Sequence, residues 1–324
     1  MQPNVTEHKA ELEHCNVLSY HTVNILGQGV TVAVLDELPF LRECCQGQDF
    51  VAPFGMGKEA SHGSNVCQVI WQVAPKVRVI GLPFIQCGST LQEQSIAWLE
   101  QHKAEVDLIN LSGTVNRNED WQLWQRLQKL GIPVIAAAGN DGDDALDKPA
   151  AFDWTIAVGA WEEGRDNLAG YSNAGNLDCV GYTNVAILNS KGQEMSFNGT
   201  SCATPFVAGM LALWLQQMGA KQTVWQLKTL MKEHCRDVKE EGYDRESGYG
   251  LFVLPDLSEL EEEKMEIRMT IGSKVAEVNG ELKTLSLAPI EKQGTTLVPI
   301  RFVAEALGCQ VEYEAASRGI VIKK

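Results

Sequence analysis

The sequence predicts an α/β protein: a parallel sheet covered by helices on both faces, followed by a small C-terminal α+β domain. Three observations lead there. Five apolar runs, VTVAVLD (30–36), VRVIGLPF (77–84), VDLINLSG (106–113), PVIAAAGN (133–140) and TIAVGA (155–160), alternate with helix-compatible stretches such as Gln92–Lys103 and Trp121–Leu130, the pattern of strands joined by crossover helices. The uncharged stretch Phe197–Leu215, FNGTSCATPFVAGMLALWL, passes from turn-forming residues into a long apolar run, which reads as a loop entering a buried helix. Composition then changes at the charged run DLSELEEEK (256–264), and short strand signals follow. A chain of 324 residues suits one large core plus a minor module.

Taken in order, residues 1–19 are polar and weakly patterned and predict a surface arm or helix. The strand 30–36 ends in Asp36, a carboxylate at the carboxyl end of a buried strand, where open α/β sheets place their sites. SHGSNVCQVI (61–70) sets His62 and Gly63 before a helical apolar pattern. Ser201 falls at a helix N-terminus, where free backbone N–H groups and the helix dipole stabilise negative charge. Pro205 fits the first turn of that helix, where a missing N–H costs nothing.

Asp36, His62 and Ser201 therefore occur in the chain order Asp, His, Ser. With these residues placed, residues 20–257 resemble the subtilisin-like serine proteases. GTSCATPFVAG (199–209) is similar to that family's nucleophile motif, HGSNV (62–66) to its histidine motif and VIAAAGNDG (134–142) to its oxyanion-asparagine segment, with Asn140 in the asparagine place. INLSG (109–113), TIAVGA and SGYGLFVL (247–254) resemble the cleft strand, the strand after the asparagine loop and the closing segment. The resemblance implies a subtilisin-like fold and a serine endopeptidase acting on extended polypeptides. Asp36 would orient His62, His62 would take the proton of Ser201, and Asn140 would bind the oxyanion. Leu111, Ser112 and Gly113 would form one cleft edge, and Ala137, Ala138 and Gly139 the pocket wall. The rival expectation is a degenerate relative that binds a polypeptide or partner with little cleavage. A serine esterase on a related site ranks below both, since the chain has no GxSxG elbow.

The chain departs from the family at several positions. Glu37 and Leu38 follow Asp36 where the family has Thr or Ser and then Gly, and Glu37 pointing inward would raise the basicity of His62. Asn65 replaces a second histidine, and Gln68 stands where glycine gives close packing. The chain between the His62 helix and the strand VRVIGL is too short for the calcium loop of many subtilisins, so no cofactor is expected, and the acidic group Asp141, Asp143, Asp144 and Asp147 reads as a solvated loop.

A formal charge of −15 without a basic block argues against a nucleic-acid partner. Met1–Cys15 is polar, so neither a signal peptide nor a membrane span is expected there. Nine cysteines, an odd number without CxxC spacing, predict a cytoplasmic protein, the alternative being an extracellular one whose export segment was removed. Cys67, Cys179 and Cys202 are expected as buried apolar fillers, and the adjacent Cys44 and Cys45 are the pair to watch for redox chemistry.

Residues 258–266 read as a charged linker and 267–324 as an autonomous module. Two strand runs flank Asn279-Gly280, a two-residue hairpin signal, and a helix from about Ile300 to Leu307 is followed by a Gly308 stop and another strand. VPIRFVAEALG resembles the module named for the N-terminal domain of copper amine oxidases. The segment has no histidine and only Cys309, so no metal site is expected. Its expected role is packing or contact with a protein partner.

Overall fold

The computed structural model describes residues 9–37, 40, 41, 45, 47–57, 61–114, 121–162, 167–258, 267–307, 309–314 and 319–323. Two compact units divide the chain, Met1–Asp256 and Leu257–Lys324. Leu38, Cys44, most of the expected linker and Gly308 lie outside the described residues.

The first unit is organised by eight mutually parallel strands: β1 (Thr31–Asp36), β2 (Phe50–Val51), β3 (Arg78–Pro83), β4 (Leu108–Leu111), β5 (Val134–Ala137), β6 (Thr155–Glu162), β7 (Cys179–Tyr182) and β8 (Leu251–Phe252). Their spatial order is β2-β3-β1-β4-β5-β6-β7-β8, and the short strand Cys235–Arg236 pairs antiparallel with β8. All six residues of β1 are buried, as expected for a parallel strand covered on both faces. The chain first lays down β2 at the edge and β3 between it and β1, then crosses to the other side of β1 to lay down β4 and β5. The order reverses between β1 and β4, which opens a crevice beyond the carboxyl ends of those strands.

Among the described residues, five helices longer than eight residues accompany this sheet: α1 (His62–Val73), α2 (Ser89–His102), α3 (Trp121–Lys129), α4 (Thr200–Met218) and α5 (Val224–His234). Helices α2 and α3 cover one face, where Ile96, Leu99, Leu123, Trp124 and Leu127 pack with Ala33, Leu35 and Ile109. On the other side, α1 packs against β1 and α4, and α4 runs against β5, β6 and β7. Nearly all of α1 and α4 is buried; α4 shows no polar face along its buried length, whereas α1 carries Gln68 and Gln72 on one side.

The close approach of α1 and α4 depends on Gly209. A Cβ there would lie 2.7 Å from Val73 Cβ and 3.2 Å from the Ile70 carbonyl. Helix α4 is tied at both ends. At its start, the Thr200 N–H and hydroxyl both donate to Asn140 Oδ1, at 2.9 and 3.1 Å. Near its end, Gln216 Oε1 accepts the backbone N–H groups of Leu26, Gly27 and Gln28 at 2.9, 2.6 and 3.0 Å. Gly219 then closes the helix in the left-handed conformation. Pro205 stands in the second turn rather than the first, because the helix begins at Thr200; the N–H it lacks is the one that would have reached the Ser201 carbonyl.

The N-terminal stretch is less detached than its polarity predicts. It forms two short helices, Lys9–His14 and Val17–Thr22, with Leu12, Cys15, Val17 and Tyr20 buried. The Leu254 N–H donates to the Cys15 carbonyl, and Tyr20 Oη donates to the Pro255 carbonyl, so this stretch is stitched to the closing segment. Gln68 has a partner that explains its presence: with its amide it both donates to and accepts from the Leu188 backbone, at 3.0 and 2.8 Å, while Gln72 one turn on donates to Ala186. These bonds fix the hairpin strand Val185–Leu188 against α1. Cys67, Cys179 and Cys202 are buried, as is Cys45.

The second unit contains a three-stranded antiparallel sheet (Ile267–Met269, Val275–Val278, Glu281–Thr284), a hairpin (Ile290–Lys292 with Thr295–Leu297), a helix (Ile300–Ala306) and a second hairpin (Gln310–Glu314 with Gly319–Lys323). Val278 pairs with Glu281, so Asn279-Gly280 is a two-residue turn, and both residues have positive φ, 48° and 83°. No helix among the described residues is long and apolar enough to cross a membrane.

Candidate active site

The crevice at the strand-order reversal is a cleft of about 340 Å³ lined by residues from both of its sides. Glu37 just beyond β1, His62, Ile85 and Gln86 beyond β3, and Gln92 of α2 form one side; Ala137 at the end of β5 and Asn140 beyond it form the other. Ser112, Gly113 and Thr114 beyond β4 run between them, with Thr200 and Ser201 at the start of α4.

Asp36 is fully buried, and its Oδ1 accepts the His62 Nδ1–H at 2.8 Å. That bond assigns the proton to Nδ1 and leaves Nε2 as an acceptor in the neutral ring. The same Oδ1 accepts the Glu37 N–H at 2.7 Å, whereas Oδ2 has no hydrogen-bond partner among the described residues. His62 opens α1, whose cap is Ser61, its side chain accepting the Ser64 N–H. Phe197 packs edge-on against the His62 ring, at 5.4 Å between centroids.

Burial works against a charge on His62, but the Asp36 carboxylate, the hydrogen bond to it and the Glu37 carboxylate outweigh that effect, and the pKa lies above the ordinary histidine value. Glu37 contributes because it turns toward the histidine: its Oε2 accepts the His62 backbone N–H at 3.4 Å.

Ser201 is the second residue of α4, and its hydroxyl donates to the Ser112 carbonyl at 2.7 Å. A hydroxyl has one proton, so in this arrangement it is not given to His62; a rotation about χ1 redirects it. Such loose geometry is common before substrate is bound. Thr200 occupies both acceptor directions of Asn140 Oδ1, so the amide NH₂ of Asn140, which lines the cleft, remains available. The Ser201 N–H, at the second helical position, has no carbonyl one turn behind it.

Of the expected substrate residues, Ser112, Gly113 and Ala137 line the cleft. Leu111, Ala138 and Gly139 do not. Leu111 faces the core, packed with Ile85, Leu123 and Trp124. Ala138 is buried with its N–H bonded to the Val158 carbonyl, and Gly139 lies at φ 114° against Asn173 and Asp147. Ile85, Gln86, Gln92, Thr114 and Thr200 are lining residues that the sequence reading did not identify. Of these, only Thr200 carried a signal, its place inside GTS.

Between α1 and β3 the chain has only Ala74, Pro75, Lys76 and Val77. None of the four offers a carboxylate.

Residues 56–250 match the subtilase family, and residues 258–322 match the copper amine oxidase N-terminal domain. The minor extracellular protease Epr of Bacillus subtilis (strain 168) is 29% identical over 207 residues, covering 59% of this chain and 32% of the relative. The extracellular serine proteinase of Thermus sp. (strain Rt41A) is 28% identical over 224 residues, covering 60% of this chain and 53% of the relative. The chain thus spans a third to a half of the length of these relatives. Among solved structures, a cold-adapted subtilisin-like serine proteinase shares the fold at a TM-score of 0.58 and 24% identity, covering 72% of this chain and 91% of the other. The prenylagaramide maturation protease PagA does so at 0.59 and 23%, covering 71% and 92%.

Proposed function

Because the chain belongs to the subtilase family, we propose that it is a serine endopeptidase that hydrolyses extended polypeptides, with Asp36, His62 and Ser201 as its triad and Asn140 in its oxyanion hole. The observation that carries this reading is the 2.8 Å bond from His62 Nδ1 to a fully buried Asp36, at the edge of a cleft that Ser201 and Asn140 also line.

An extended peptide pairs with the Ser112–Thr114 edge and brings its scissile carbonyl to Ser201. Once rotated from the Ser112 carbonyl, the Ser201 hydroxyl attacks the carbonyl carbon and gives its proton to His62 Nε2. Asp36 holds the ring orientation and stabilises the imidazolium without itself taking the proton. The oxyanion receives hydrogen bonds from Asn140 Nδ2 and the Ser201 N–H, aided by the positive end of α4. His62 then protonates the leaving amine, and a water deprotonated by the same ring hydrolyses the acyl-enzyme.

The test is labelling of the full-length chain with a serine-directed phosphonate, beside cleavage of unfolded casein by the parent and Ser201→Ala proteins. The expected result is stoichiometric labelling at Ser201 and loss of casein cleavage by at least about a thousandfold in the variant. Absence of labelling at high reagent excess, or equal cleavage by the two proteins, overturns the assignment.

A further inference from the structure

Building on the peptidase reading, we infer that Gln68 is a positioning residue for the reaction: it stands in for a missing β-strand beside the hairpin Val185–Leu188 and Glu194–Phe197, and through that hairpin it holds Phe197 against His62. The hairpin has no third strand among the described residues. The Asn189 N–H donates to the Gln193 carbonyl at 2.9 Å, and bonded and non-bonded pairs alternate along an antiparallel ladder, so Leu188 and Ala186 turn their backbone groups away from the second strand. There they meet α1. The Leu188 N–H donates to Gln68 Oε1 at 2.8 Å and the Leu188 carbonyl accepts from Gln68 Nε2 at 3.0 Å, the pair of bonds that a neighbouring strand would make. Gln72, one turn on and on the same side of the helix, donates to the Ala186 carbonyl at 2.7 Å. Gln68 is 5% exposed, so its amide acts where water competes little. A two-stranded hairpin is marginal by itself, and its attachment to α1 therefore governs where its second strand lies.

That second strand ends at Phe197, paired with Val185. Phe197 is buried with its ring edge-on to His62, and four residues later the chain reaches Ser201. His62 in turn opens the helix on which Gln68 lies six residues further along. Helix, glutamine, hairpin and phenylalanine thus close a circuit that begins and ends at His62. Asp36 holds the ring by its Nδ1–H, and Phe197 limits how far the ring can swing about that bond. Neither Gln68 nor any residue of the hairpin lines the cleft, so loosening the circuit displaces the base and leaves the peptide-binding edge in place.

The experiment compares the parent with Gln68→Met, Phe197→Leu and the double variant, all as full-length protein. Methionine keeps the length of the side chain and loses both amide bonds. On a short chromogenic peptide, Gln68→Met should lower kcat about tenfold or more with KM little changed. Both substitutions open the same circuit, so the double variant should be no slower than the slower single variant, whereas a merely structural role for Gln68 would make the two losses multiply. A readout independent of cleavage is the low-field proton resonance of His62 Nδ1–H, assigned by its loss in His62→Gln. Phe197 shields the ring from water and burial lowers its pKa, so Gln68→Met should move the midpoint of this titration upward, while Asp36 and Glu37, the charges acting on the ring, are untouched by the substitution. An unchanged kcat, multiplied losses or an unmoved midpoint overturns the inference. Should Gln68→Met fail to fold, Gln68→Glu, which keeps the acceptor for the Leu188 N–H and loses the donor, is measured in the same way. An inactive parent would count against the peptidase reading, and the resonance would still decide whether Gln68 positions His62, so the two failures are distinguishable.

Discussion

The two units spend their apolar residues in opposite ways. In the first, one continuous sheet with helices on both faces buries strands β1, β4 and β5 completely. In the second, three separate small sheets leave Leu282, Leu287, Tyr313 and Ile320 more than half exposed, and Ala276, Leu285 and Ala304 are its buried apolar residues among those described. The contrast follows from connection type. A crossover helix brings its own apolar stripe to the sheet it spans, whereas a two-residue hairpin returns the chain with nothing to cover either face. A rigid, doubly covered sheet holds side chains from distant parts of the chain in register, and the candidate site has formed at its reversal point.

The largest expected effect confined to the first unit is on the oxyanion. Asn140→Ala should lower kcat by about a hundredfold to a thousandfold with KM little changed, a magnitude taken from a subtilisin rather than derived from this chain. A fall in kcat below tenfold would remove Asn140 from the reaction. Gly209→Ala tests whether the packing of α1 on α4 is as tight as drawn. Its Cβ meets Val73, so it should destabilise the first unit by about 1–3 kcal/mol in urea unfolding followed through tryptophan fluorescence. An unchanged midpoint would show that the helices can move apart freely.

The next expectation concerns pH. With His62 as the proposed base, activity requires its neutral form, and its pKa is raised, so kcat/KM should fall on acidification with a midpoint above the ordinary histidine value near 6.5. Glu37→Gln removes one of the raising charges and should move that midpoint downward. An upward move, or none, would detach Glu37 from the titration. The smallest effect is assigned to the second unit: truncation after Asp256 should keep kcat/KM on a short chromogenic peptide within tenfold, about 1.4 kcal/mol, once circular dichroism has shown the fragment to be folded. A greater loss would mean that the contrast between the units is not a division of labour.

The parts of the fold that announced themselves were those with uninterrupted apolar runs. The five runs read from the sequence are β1, β3, β4, β5 and β6, and the helix predicted from Phe197–Leu215 is α4. Strands β2 and β8 are two residues long and leave no periodicity to count. The N-terminal stretch reads as a surface arm or helix, and its burial was missed because four buried residues among polar neighbours are enough to anchor six-residue helices but too few to form a pattern. At the site, motif spacing led to Asp36, His62, Ser201 and Asn140, yet it located a backbone segment rather than a facing direction. Leu111 was assigned to the cleft with its neighbours although strand alternation turns its side chain into the core. Gln92 gave no signal, since a glutamine inside a helix is ordinary until its amide proves to be half satisfied.

The anchoring of α4 at both ends has a mechanical consequence. Fifteen residues separate Ser201 from Gln216, a span of about 22 Å along the axis. A packed helix is stiff lengthwise, so the clasp of three N–H groups around Gln216 Oε1 acts as the far support of a strut whose near end carries Ser201. The axial position of Ser201 is thereby referenced to the loop that leads into β1, the same strand that delivers Asp36. Ser201 and Asp36 share one datum, and a slip of the helix would be felt first at its distant end, where three hydrogen bonds oppose it together.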